Sequence, residues 1–151
     1  MKKDFVYMPL DKQLVFPLYL CTKEVIRRYN AVLEEFDLTY TQFVIMMYLW
    51  EKRTSNVKKI SETMLLDSST LTPLLKKLEK KGLIKRNKSL MDERNLSIEL
   101  TKEGLDLQQK ASVAPMKMEK FCKLTKKDEE DFRKLAYKLL INMKEDNKQW
   151  K

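Results

Sequence analysis

Histidine is absent from all 151 residues. Its absence removes imidazole acid–base chemistry, Ser-His-Asp and Cys-His nucleophile pairs, and histidine-containing zinc sites. Cysteine is nearly absent as well. Cys21 and Cys122 cannot supply four thiolates within one chain, and no Cys-x-x-Cys occurs. Two glycines and four prolines leave little material for a glycine-rich phosphate cradle or for long flexible loops. No apolar run approaches the roughly 20 residues of a membrane-spanning helix. The basic start MKKDFVYMPL lacks the apolar stretch of a signal peptide. These absences predict a cytoplasmic protein with no membrane segment, no cofactor and no catalytic activity.

What is present describes one helix-rich globular domain: 43% hydrophobic and 35% charged residues, at a length that can bury a substantial core. The formal charge is +9 and the pI about 9.4, which favours polyanionic partners, nucleic acid before anionic membrane. Between Val57 and Lys88 nine lysines and arginines face only Glu62, Asp67 and Glu79, so this stretch alone carries +6.

Taken in order, Leu14, Leu18, Cys21, Val25, Tyr29, Val32, Leu33 and Phe36 form one apolar stripe of a helix over about 14–36. Pro17 falls within it and predicts a bend. Thr39 or Thr41 caps a second helix, Tyr40 to about Glu51, whose run from Phe43 to Trp50 is apolar on nearly every side and belongs in the core. Val57, Ile60 and Met64 mark a short helix. Asp67, Ser68 and Ser69 are N-cap candidates for the next, which buries Leu71, Leu74, Leu75 and Leu78, tolerates Pro73 near its first turn, and stops at Gly82. The alternation of Leu96, Ile98 and Leu100 marks a strand paired with one that follows Leu83, around the charged loop KRNKSLMDERN. Thr101 caps a further helix towards Phe121, kinked at Pro115. Thr125 and Asp128 resemble a capping box ahead of the last helix. The first and last helices carry regular apolar stripes that suit packing on a second copy of the chain.

The helix after Asp67 has the features of one that enters a major groove. Ser68, Ser69, Thr70 and Thr72 give it a hydroxyl-rich start, able to meet phosphates or base edges. Its free N–H groups offer partial positive charge to phosphate. Lys76 and Lys77, with Lys80 and Lys81, suit backbone contacts. An ordinary capped amphipathic helix with solvated lysines would show the same pattern. The hairpin tips the reading, because Arg86, Lys88 and Arg94 form a basic wing. Arg94 suits a narrow minor groove, and Asp92 is placed to hold a guanidinium.

The segments LTYTQFVIMMYLWE, LDSSTLTPLLKKLEKKGLIKR and DERNLSIELTKEG together resemble the MarR family of winged-helix repressors, closest to the organic-hydroperoxide sensors and SarZ-like relatives. The resemblance implies a mainly α chain: a winged helix-turn-helix with a two-stranded β-hairpin wing and flanking dimerisation helices. The single domain 1–151 would divide into dimerisation helices at about 10–36 and 102–147 and a DNA-binding lobe at about 40–101. It implies a homodimer on a pseudo-palindromic operator of double-stranded DNA, released by a small-molecule effector or having lost its signal. By the same resemblance Ser68, Ser69, Thr70 and Thr72 would meet the major groove and Asp92 and Arg94 the minor groove.

At one position the resemblance fails. The peroxide-sensing relatives place a cysteine where this chain has Val15, while their surrounding tyrosines correspond to Tyr19, Tyr29 and Tyr40. Valine forms no thiolate and no sulfenic acid. Cys21 is an alternative thiol sensor, but its neighbours Pro17, Leu18, Glu24 and Val25 offer no cation. Burial as a small hydrophobe is the expectation for it and for Cys122. A winged helix used for protein contacts is the remaining alternative.

Overall fold

The computed structural model describes residues 7–88 and 96–145. The chain divides between Ala114 and Pro115 into two compact units. The first holds helices α1 (Val15–Leu33), α2 (Tyr40–Lys52), α3 (Val57–Met64), α4 (Ser68–Lys80) and α5 (Lys102–Ala111) with strands β1 (Thr54–Asn56), β2 (Ile84–Lys88) and β3 (Leu96–Leu100). Helix α6 (Val113–Cys122) runs across the division, and α7 (Lys126–Glu145) lies in the second unit.

Helix α2 is the core element, as its apolar run requires. Phe43, Ile45, Met46, Leu49 and Trp50 are all buried. Its start is a full capping box: the Thr39 hydroxyl accepts from the Gln42 N–H, and the Gln42 side chain accepts from the Thr39 N–H. Around it pack Leu33 of α1, Ile60 of α3, Leu71, Leu75 and Leu78 of α4, and Ile84 and Ile98 of the sheet. The Trp50 indole donates to the Gly104 carbonyl at 2.7 Å, joining α2 to the start of α5.

Helix α1 begins at Val15, so Pro17 falls in its first turn and not within a bend. First-turn amides have no intrahelical acceptor, and a proline there forfeits nothing. The helix ends at Leu33, a 3₁₀ turn covers Glu34–Phe36, and Asp37 reverses the chain with a left-handed φ of 51°.

Pro73 sits in the second turn of α4, one turn deeper than the sequence reading places it, and the helix continues through it. At the far end, Gly82 (φ 72°) donates to the Glu79 carbonyl and Leu83 to the Leu78 carbonyl. That paired pattern is a Schellman motif, with glycine at the position where a Cβ would be strained.

The single helix expected after Thr101 is two. Pro115 offers no N–H to the Ala111 carbonyl, so α5 closes at Ala111 and α6 opens at Val113 with Pro115 in its first turn. The Thr125–Asp128 capping box ahead of α7 is present, each residue bonding the other's backbone N–H at 3.2 Å.

The sheet has a third strand beside the expected hairpin. Its order is β1-β3-β2, antiparallel throughout, with Ser55 and Arg86 both opposite Ile98. Thr54–Asn56 carries no apolar alternation, which is why the sequence does not announce it. No helix among the described residues is long and apolar enough to cross a membrane.

Candidate nucleic-acid interface

Helices α3 and α4, the turn between them and the sheet form a winged helix-turn-helix. The turn is short because Leu65 closes α3 in the left-handed region, with φ 53°, and Asp67 already caps α4. Helix α4 then buries one face and leaves the other to solvent. Ser68, Ser69 and Thr70 are exposed on its first turn, Thr72 is half-buried, and Lys76, Lys77 and Lys80 are exposed further along. The structure therefore gathers the hydroxyl residues at one helix end and the lysines along the same element.

The helix start is already occupied by its own acid. Asp67 accepts the Ser69 hydroxyl at 2.5 Å, the Thr70 N–H at 2.8 Å and the Thr70 hydroxyl at 3.3 Å. These bonds, the Ser69 hydroxyl first, hold its carboxyl below the ordinary 3.8. The Thr70 N–H that the sequence reading offers to phosphate is thus spent within the helix. The Ser69 and Thr70 hydroxyls donate to Asp67, which leaves their oxygens as acceptors.

The basic residues separate by environment. Lys81 donates to the Asp37 carbonyl and lies 2.9 Å from the Asp37 carboxylate, so it braces the end of α4 against the turn before α2. Arg86, on β2, donates to Glu79 of α4 at 2.8 Å. Lys88 ends β2. Asp92 and Arg94 lie outside the described residues.

The residues predicted to form a sensor pocket do not come together as one group. Val15, Tyr19 and Cys21 are exposed along the first half of α1. Tyr29 and Tyr40 pack ring to ring, with centroids 4.6 Å apart, at the edge of the core against Phe43. Burial pushes the Tyr40 hydroxyl's pKa upward. The expectation of buried cysteines is corrected: Cys21 and Cys122 are both free and exposed. Along the same stretch Leu14, just before α1, and Val15, Leu18 and Tyr19 in its first turns are also exposed. A cleft of about 580 Å³ opens elsewhere, between the end of α1, the start of α2 and α4, lined by Asn30, Leu38, Gln42, Lys77 and Lys81 among others. Gly104, Glu79 and Asp37 are the structural residues that sequence reasoning passed over. A glycine inside an otherwise ordinary helix was the one available signal.

Comparison with known proteins gives this geometry its context. The family model described as Transcriptional regulator SarA/Rot matches residues 27–111. The Organic hydroperoxide resistance transcriptional regulator of Bacillus subtilis is 37% identical over 147 residues, 97% of this chain and 100% of that protein. The HTH-type transcriptional regulator SarZ of Staphylococcus saprophyticus is 46% identical over 103 residues, 68% of this chain and 70% of its own length. Among solved structures, reduced AbfR bound to DNA superposes with a TM-score of 0.75 at 30% identity, covering 89% of this chain and 94% of that one. AbfR comes from Staphylococcus epidermidis and is also known in a disulfide-formed state, with a TM-score of 0.61 at 30% identity over 93% of this chain and 92% of that one.

Proposed function

The chain belongs to the SarA/Rot family of transcriptional regulators, with the winged-helix fold of the MarR type, and from that premise we propose a sequence-specific, homodimeric DNA-binding repressor acting in the cytoplasm without enzymatic activity. The observation that carries the reading is the solvent-facing start of α4, hydroxyl-rich and followed by a row of lysines, on a winged helix that resembles DNA-bound AbfR.

Helix α4 spans 13 residues, or roughly 20 Å at 1.5 Å per residue, and a major groove about 12 Å wide admits it. In this reading Ser68, Ser69, Thr70 and Thr72 face base edges, while Lys76, Lys77 and Lys80 neutralise phosphates on either side. The same reading assigns Lys88, Asp92 and Arg94 to the adjacent minor groove. Two copies, joined through the uncovered stripes of α1 and the last helices, set their α4 helices about one DNA turn apart, roughly 34–36 Å. A small effector, or none, then governs release.

The test is equilibrium binding of the full chain to duplexes it selects from random-sequence DNA, repeated across salt concentrations. Phosphate neutralisation requires log affinity to fall linearly with log salt, by about 0.9 for each phosphate contacted. A chain that selects no duplex at moderate salt overturns the reading and leaves a winged helix used for protein contacts.

One observation favours a second reading of the signal. Cys21 is exposed on α1 in the single chain, and a thiol that answers to oxidants must be within their reach. Release of bound DNA by an organic hydroperoxide, reversed by reductant and absent from Cys21→Ser, would establish it. Release that persists in Cys21→Ser would remove it.

A further inference from the structure

The sequence counts Arg86 among the cations offered to a phosphate backbone, but the fold turns it inward. Along β2 the pattern runs Ile84 buried, Lys85 exposed, Arg86 half-buried, Asn87 exposed. Side chains of a strand alternate between faces, so Arg86 shares the inner face of the sheet with Ile84. In register it lies opposite Ile98, which is fully buried. From there its Nε reaches Oε2 of Glu79 on α4 at 2.8 Å, with the arginine side chain 19% exposed and the glutamate 39%.

Three physical facts follow. The bond is charge-assisted, of the stronger class, and a phosphate would have to displace it. The Glu79 carboxylate sits beside the guanidinium and cancels its field well within the Debye length of about 10 Å at 0.1 M salt, so a phosphate gains little from approaching it. The bond also joins the two elements that must enter adjacent grooves together, α4 and the strand that leads into the hairpin.

Resting on the DNA-binding reading above, we propose that Glu79 and Arg86 are a positioning pair that sets the hairpin's angle to the recognition helix, and that Arg86 makes no phosphate contact of its own. A fixed angle spares the complex the cost of ordering the two elements on binding. It also makes the pair matter only where both grooves are read at once, on a specific site. On non-specific DNA the lysines of α3 and α4 suffice, and the angle is immaterial.

The experiment compares the full chain with Glu79→Gln, Arg86→Gln and the exchanged pair Glu79→Arg/Arg86→Glu. The probes are a duplex selected by the unmodified chain and a scrambled duplex of equal composition, read by fluorescence anisotropy from low to high potassium chloride. Each single change should weaken the selected duplex roughly tenfold, the scale of coupling within one ion pair, and leave the scrambled duplex within about twofold. Slopes against log salt should stay unchanged, and the exchanged pair should regain most of the loss.

Other outcomes overturn the pair. One is Arg86→Gln weakening both duplexes alike while flattening the slope by about 0.9, the mark of a lost phosphate contact. The others are tighter binding by Glu79→Gln, or an exchanged pair no better than the single variants. Circular dichroism checks folding. Should a glutamine variant unfold, Arg86→Lys serves instead, because it keeps the charge and loses the guanidinium geometry. A positioning role then predicts loss on the selected duplex alone, and a phosphate contact predicts little change on either. If the unmodified chain selects no duplex, the DNA-binding reading itself fails, an outcome distinct from those that remove only the pair.

Discussion

Gly104 stands where α5 leaves the sheet, its backbone pressed against the chain that links α4 to β2. A Cβ there would overlap the Leu83 carbonyl oxygen, which also accepts the Thr101 N–H at 3.2 Å. The overlap is with backbone, so no rotamer relieves it. Gly104→Ala should cost about 1–3 kcal/mol, read from the urea midpoint, and an unchanged midpoint would mean the two segments are not in contact. Asp67 gives a residue-scale prediction in pH. Its folded carboxyl lies below its ordinary 3.8, so the stability it lends is fully present above that value and is lost as pH falls through the depressed one. Carboxyl NMR should find Asp67 still ionised when unperturbed aspartates are half protonated; titration at or above 3.8 would mean the cap is not formed. Tyr40 runs the opposite way, since burial favours its neutral form. Stability from it is present below the ordinary tyrosine value and is lost as pH rises through the raised one. The ultraviolet difference between the chain and Tyr40→Phe should therefore appear later in an alkaline titration than an exposed tyrosine would. Of these residues, Asp67 was legible in the sequence as a cap. The reach of Leu83 to Gly104 was not, because nothing local in either segment records that their backbones touch.

Among the elements, those with a strong local signal were read correctly. The apolar run of α2, the leucines of α4, the alternation of β3 and the Thr125–Asp128 box all appear where periodicity and capping put them. Departures came where proline or polarity decided. Pro17 was read as bending a helix, yet it sits in the first turn of α1, where the missing donor is harmless, whereas Pro115, read as a kink, divides the expected helix into α5 and α6. β1 escaped because a polar tripeptide becomes a strand only when β3 offers it a ladder. The site was legible as a class of residue more than as an arrangement. Ser68, Ser69 and Thr70 gather as expected, but the Arg86–Glu79 bond depends on which face of β2 turns inward. The Trp50–Gly104 bond spans 54 positions of sequence. Trp50→Phe keeps most of the ring and removes the N–H, so the Gly104 carbonyl loses the indole donor and keeps only its helical one. That should lower stability by about 1–3 kcal/mol in denaturant unfolding. A loss well under that range would mean another donor, such as water, takes over the carbonyl.

For the whole molecule the decisive feature is apolar surface left exposed among the described residues. At the start of α1 it comprises Leu14, Val15, Leu18 and Tyr19, of which Leu14 is the N-cap, and in α7 it comprises Phe132, Leu135, Ile141 and Met143. Surfaces of this kind mark interaction sites, and a second copy presents matching ones. Because a partner that binds only the folded chain stabilises it by mass action, the thermal midpoint should climb as protein concentration is raised. A midpoint constant over a hundredfold range would argue for a monomer. The uncovered stripe of α1 has a further consequence in the arithmetic of supply. A chain that must meet its own copy before it can grip a two-fold site does not respond linearly to how much of it is made. Well below the dimer dissociation constant, halving the number of chains cuts the number of dimers about fourfold. Dilution by growth, or a brief pause in synthesis, would then free the regulated promoter sooner than loss of protein alone implies.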